Sequence, residues 1–218
     1  MVFQACPKGC ARRVARYTNG IISFTGLSGY GAPVNKQAMP IVVPTSMRSD
    51  FDDMVGRTVL SSSPPSLEFF DDLHGAGGMF VPGDWAILIG MKDQRDIALN
   101  VVSTWPRQVA ALYARSNAGM RPTPANLLDF ATDAAIRRCM AHEIGHALLA
   151  SGLPNPFAPD EEAGADYYAG RFDAARAKNR ALGEMFFYSI GCTGPSCTHP
   201  EPAMRAEAYR TGYDEQAA

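Results

Sequence analysis

The chain has 218 residues, a formal charge of −2, 46% hydrophobic residues and 19% charged residues. This composition excludes a disordered chain and is enough for one large domain with its own core. The near-neutral balance, with no basic tract, argues against nucleic acid as a partner. Apolar runs such as Trp85 to Gly90 are far too short to span a bilayer, so no membrane span is expected.

The N-terminal stretch from Met1 to Arg16 carries cysteines and arginines but no apolar core of the signal-peptide kind. The expected location is therefore cytoplasmic, or periplasmic or secreted if a leader has been removed. Of the five cysteines, Cys192 and Cys197 bracket a Thr-Gly-Pro-Ser turn that can close a small disulfide loop, and Cys6 and Cys10 are similarly close. Free thiols fit a reducing compartment and short-range bridges an oxidising one, while a four-cysteine zinc site would require the chain ends to meet.

In chain order, the first half reads as strands and turns. Short apolar or β-branched runs at Ile21 to Thr25, Ile41 to Thr45, Thr58 to Leu60, Trp85 to Ile89 and Ile97 to Ser103 are separated by Gly, Pro, Ser and Asp clusters. Ser61 to Ser66 and His74 to Gly78 read as loops. The second half reads as helices. One covers Arg107 to Ser116. The next is capped by Thr123, has Pro124 at its first position, and runs to Ala150 before Gly152 and Pro154. On it, Ile136, Met140, Ile144, Ala147 and Leu148 share a core face, and Ala135, Cys139, His142, His146 and Leu149 lie roughly opposite. A further helix starts near Asp160, with acidic residues in its first turn, and runs to about Ala177. Another ends near Ile190 at Gly191, and Pro200 and Pro202 introduce the last, through Tyr209. The expected architecture is α+β in a single domain over residues 1–218. A β-rich lobe, about 1–106, packs on a helical lobe, about 107–218, with the site between them.

The chemistry concentrates on two helices. His142-Glu143-Ile144-Gly145-His146 fits H-E-x-x-H, and the i, i+4 spacing lets both imidazoles reach one ion. Glu143, about a quarter turn away, is placed to act as general base on a water activated by that ion. The chain has only four histidines, so a chance occurrence of this pattern is improbable. A catalytic zinc needs a third protein ligand and an open position. Glu162 is the candidate ligand. Asp166, one turn on, is the candidate acceptor for a ligand histidine's N–H. The small residues Ala163, Gly164 and Ala165 would let the two helices approach closely.

H-E-x-x-H followed by Glu162-x-x-x-Asp166 resembles the signature of gluzincin zinc metallopeptidases. Glu162-Ala-Gly-Ala-Asp166 resembles in particular the branch that contains the CAAX prenyl endopeptidases and heat-shock membrane proteases. That branch also carries a histidine–proline pair and a later arginine, matched here by His199-Pro200 and Arg205. The residue before the arginine, usually acidic in relatives, is Met204. The resemblance covers roughly Ala135 to Tyr209. It implies a zincin-like fold, one catalytic Zn2+ held by His142, His146 and Glu162, and hydrolysis of a peptide or protein substrate. It points to His199 and Arg205 as further active-site residues. Physical reasoning also points to His199, since a donor for the reaction oxyanion is needed and Pro200 restricts its backbone. Tyr167, Tyr168 and Tyr209 are alternative donors. Cys139 and Met185 to Tyr188 read as core, and His74 as a loop histidine. Two competing readings are a catalytically silent metal-binding or interaction domain, which would have no use for Glu143, and a zinc hydrolase of a non-peptide amide. A substrate strand would pair with an edge strand, either Trp85 to Ile89 or Ile97 to Ser103.

Overall fold

The computed structural model describes residues 14–18, 21–27, 33–73, 77–192 and 199–218, with side chains from residue 39 onward. The architecture is mixed α and β, as expected. Strands β1 (Val14–Thr18), β2 (Ile21–Leu27) and β3 (Pro33–Ala38) form an antiparallel meander. A second sheet contains β4 (Pro40–Ile41), β5 (Ser66–Phe70), β6 (Gly78–Val81) and β7 (Ala86–Gly90) in the order β4-β5-β7-β6. β7 runs parallel to β5 and antiparallel to β6, which leaves β6 at the edge.

Helices also occupy the first half, which corrects the β-rich reading of that lobe. α1 (Thr45–Gly56) buries Met47, Phe51, Met54 and Val55, one stripe at helical spacing. The strand expected at Ile41 to Thr45 therefore shrinks to β4 and gives way to a helix behind Pro44. Thr58 to Leu60 is no strand either. The Thr58 side chain caps a single 3-10 turn, Val59–Ser62, by accepting from the Leu60 N–H. The expected strand Ile97 to Ser103 lies inside α2 (Met91–Thr104), which buries Gln94, Ala98 and Val101 on one face. Its β-branched residues weakly disfavour a helix, but packing of that face against the core outweighs a preference of a few tenths of a kcal/mol per residue.

The helices of the second half follow the sequence closely. α3 spans Pro106–Ser116, and α4 spans Pro124–Ala150 with Thr123 accepting from the Asn126 N–H. α5 spans Glu161–Ala175, capped by the Asp160 carboxylate, and α6 spans Arg180–Ile190, capped by Asn179 and stopped at Gly191. α7 (Pro202–Ala217) continues well past the expected end at Tyr209. Ile136, Met140, Ile144, Ala147 and Leu148 are all buried in the main core with Phe69, Ile87 and Ile89 of the sheet. α4 is thus covered on one side by the sheet and on the other by α5.

α5 and α7 make the tightest seam. A Cβ on Gly170 would overlap the Tyr209 carbonyl, and one on Gly212 would overlap the Tyr167 carbonyl. Backbone lies against backbone there, so neither side can yield by a rotamer change. Gly212→Ala is expected to cost about 1–3 kcal/mol, the usual penalty for overpacking. Urea unfolding checks this, with a lowered midpoint at an unchanged slope. A buried ion pair closes the same seam: Arg138 Nε stands 3.0 Å from Asp173, which also accepts from the Tyr209 hydroxyl at 2.7 Å.

Candidate metal centre

α4 presents His142 and His146 toward Glu162 of α5 and Glu143 toward β6, and the approach to α5 is close because Gly145 has no side chain. A Cβ there would come within 2.7 Å of the Ala165 carbonyl oxygen. Gly145 therefore serves packing, a role the sequence motif does not reveal. Ala163 and Ala165 are fully buried, as a close helix pair requires.

The two imidazoles turn their Nε2 atoms toward each other at 3.2 Å, with the rings nearly perpendicular. Glu162 reaches the same point, 3.3 Å from His142 Nε2 and 3.5 Å from His146 Nε2. One ligand atom from each of the three residues lies within 4.8 Å of the others. Glu162 Oε2 is buried without an ordinary hydrogen-bond partner among the described residues. His199 and Arg205 also approach that oxygen, with His199 Nε2 at 3.5 Å and Arg205 Nη2 at 3.6 Å. His142, His146, Glu162, Asp166, His199 and Arg205 thus form one cluster, with Glu143 next to His142 on α4.

Behind His142, Asp166 is completely buried and lies 2.8 Å from the ring's Nδ1. Arg205, itself 1% exposed, grips Asp166 with Nε at 2.7 Å and Nη2 at 2.8 Å. Burial opposes ionisation of Asp166, but Arg205 and His142 outweigh it and hold the carboxyl below its ordinary range. Glu162 behaves alike. Burial works against its charge, but bonds to the two histidines hold it well below the ordinary value. Burial also works against a charged His142, yet Asp166 and Glu162 dominate and push it up to about 10. Glu143, 6% exposed, is raised by burial and accepts a hydrogen bond from the Phe80 backbone N–H on β6. A metal ion would displace the His142 proton, and with both imidazoles neutral the carboxylates of Glu143, Glu162 and Asp166 would face one guanidinium, leaving an excess of negative charge. The donor set therefore suits a divalent cation of zinc's kind.

Several expectations are corrected here. None of the three tyrosines serves as a donor in the site: Tyr209 donates to Asp173, Tyr167 to Glu215 and Tyr168 to the Pro154 carbonyl. Neither expected edge strand lies at an edge, since β7 sits between β5 and β6, and residues 97–103 are helical. The strand beside the site is β6, and its Phe80 N–H had no signal in the sequence. Cys139 is a free, buried thiol beneath Gly78, raised further by burial and standing outside the ligand group. Phe186 and Phe187 are core, Phe187 packing between His142 and Tyr209, whereas Tyr188 is half exposed. Cys192 is disulfide-bonded, and its N–H bonds the Pro200 carbonyl at 3.3 Å. Its bonding partner, Cys6, Cys10, Cys197 and His74 lie outside the described residues.

Comparison with family models, with curated proteins and with solved structures found no match for this chain. Among the described residues, no helix is long and apolar enough to cross a membrane.

Proposed function

We propose that the chain is a zinc-dependent endopeptidase of gluzincin type with a zincin-like fold. The observation that carries this reading is the convergence of His142, His146 and Glu162 on one point, with Glu143 beside them on the same helix. A zinc ion held there supplies Lewis acidity, which polarises a carbonyl and makes water nucleophilic near neutral pH. Glu143 takes the proton of the attacking water and returns it to the leaving amine. Its burial raises its basicity toward that task. Asp166 accepts the Nδ1–H of His142, which fixes the tautomer that would leave the Nε2 lone pair free for the ion. Arg205 in turn holds the Asp166 carboxylate in place. His199, beside Glu162, donates to the oxyanion that develops on the scissile carbonyl, and the tyrosines are committed elsewhere.

Three experiments test the reading. Purified protein is expected to hold one zinc per chain, and chelation is expected to abolish hydrolysis of a diverse peptide pool followed by mass spectrometry. Glu162→Ala is expected to lower zinc affinity sharply. Zinc binding as tight as the parent's would remove Glu162 from the ligand set. His199→Ala is expected to keep its zinc and lose about 100-fold in kcat, the loss typical of one oxyanion donor. Steady-state kinetics paired with metal analysis decides, and a near-normal kcat sinks the role given to His199.

A further inference from the structure

His142, His146 and Glu162 ride on α4 and α5, whose own hydrogen bonds hold their backbones. His199 reaches the same point differently. Its Nε2 stands 3.5 Å from Glu162 Oε2, yet the residue precedes α7 rather than lying within it. Pro200, next in the chain, has no N–H with which to tie the segment down.

Two backbone contacts fasten this segment to the end of α6. Gly191 is the C-cap of α6. A Cβ on it would come 2.4 Å from Pro202 Cα and 2.6 Å from Pro202 N, so the two stretches touch backbone to backbone. One residue on, Cys192 N–H donates to Pro200 C=O at 3.3 Å. The acceptor directly follows His199, so any movement of Cys192 is felt at the imidazole. A single long hydrogen bond contributes only about 1 kcal/mol net, and Cys192 is partly exposed and lies past the last turn of α6. Cys192 is held covalently as well, because its sulfur is in a disulfide.

We infer that Cys192 is a positioning residue for His199: its disulfide anchors a clasp, Gly191 on Pro202 and Cys192 on Pro200, that aims the imidazole into the site. The inference rests on the oxyanion role given to His199 and adds what keeps that donor in place. A misplacement of about 1 Å can cost about 100-fold in rate. The ligands on α4 and α5 are fixed by other contacts, so loss of the bridge acts on kcat and spares zinc content and KM.

The test compares Cys192→Ser with the parent, each with and without His199→Ala. Cys192→Ser should lower kcat about tenfold, part of what one oxyanion donor supplies, with zinc content unchanged and KM within about twofold. In the His199→Ala background it should cost nothing further. Unchanged kcat, or an equal loss in both backgrounds, overturns the inference. Should the serine variant fail to fold, reduction of the folded parent and of His199→Ala gives the same comparison. There one phosphine and one water convert the bridge to two thiols and a phosphine oxide. A second readout needs no activity. The chain has four histidines, and His199→Ala assigns the ring signals of His199 by NMR. Those signals should shift on reduction while those of His142 and His146 stay. Unmoved His199 signals overturn the clasp, whereas moved signals in a protein that cleaves no peptide overturn the peptidase reading and leave the clasp standing.

Discussion

Replacing Glu143 with glutamine is expected to leave zinc content unchanged and to cut turnover by about 10³-fold, within the range general acid–base catalysis supplies. Glutamine keeps the shape and an oxygen that can accept from the Phe80 N–H, so β6 and α4 stay in register. It loses the ability to take a proton, and the reaction then depends on bulk water as base. Because Glu143 stands outside the ligand group, metal affinity should not move, and neither should KM if binding precedes a slow chemical step. Metal analysis and steady-state kinetics on one cleavable peptide give both numbers. Turnover within tenfold of the parent would place the base elsewhere.

The largest effect on stability is expected at Arg205. Arg205→Ala strands the Asp166 carboxylate, completely buried, without its cation. Breaking a buried pair in this way costs about 3–5 kcal/mol, most of it from the charge left behind. In a chain of this size that lowers Tm by about 10 °C. Pairing the change with Asp166→Asn removes the stranded charge and should recover a large part of the loss. Thermal unfolding of the parent, the single variants and the double variant closes the cycle. Equal destabilisation by the single and the double variant would show that Arg205 contributes through packing against Phe187 rather than through charge.

The parts of the protein legible in its sequence are those where side chains repeat with helical period. α4 announces itself by the Thr123 cap, Pro124 and an apolar stripe, and α5 by its acidic first turn. His142 and His146, and Glu162 and Asp166, are each one turn apart, so each pair is visible before any tertiary structure is known. What brings the two pairs together is Gly145 against Ala165, a contact made by the absence of atoms. The contribution of β6 was illegible for a related reason. A peptide N–H is the same at every non-proline residue, so nothing marks Phe80 as the partner of Glu143. In α2, the β-branched Ile97, Val101 and Val102 gave a strand signal, and only burial of Ala98 and Val101 against neighbours decides for helix. The residue before Arg205, Met204, offers it no charge. Arg205 is nonetheless fully paired, because its partner lies 39 residues earlier at Asp166.

The glycine seam between α5 and α7 would bear on how the proposed ion enters and leaves. α5 carries Glu162 and Asp166, and α7 carries Arg205. Both are fastened backbone to backbone at Gly170 and Gly212 and cross-tied by Asp173, Arg138 and Tyr209. The ligand-bearing helix therefore cannot swing aside without breaking the core. In small zinc-dependent folds, metal capture and folding are one event. Here the helices that carry the candidate ligands are held by protein–protein contacts of their own. An ion held there would be reached from the partly exposed side of Glu162 and His146.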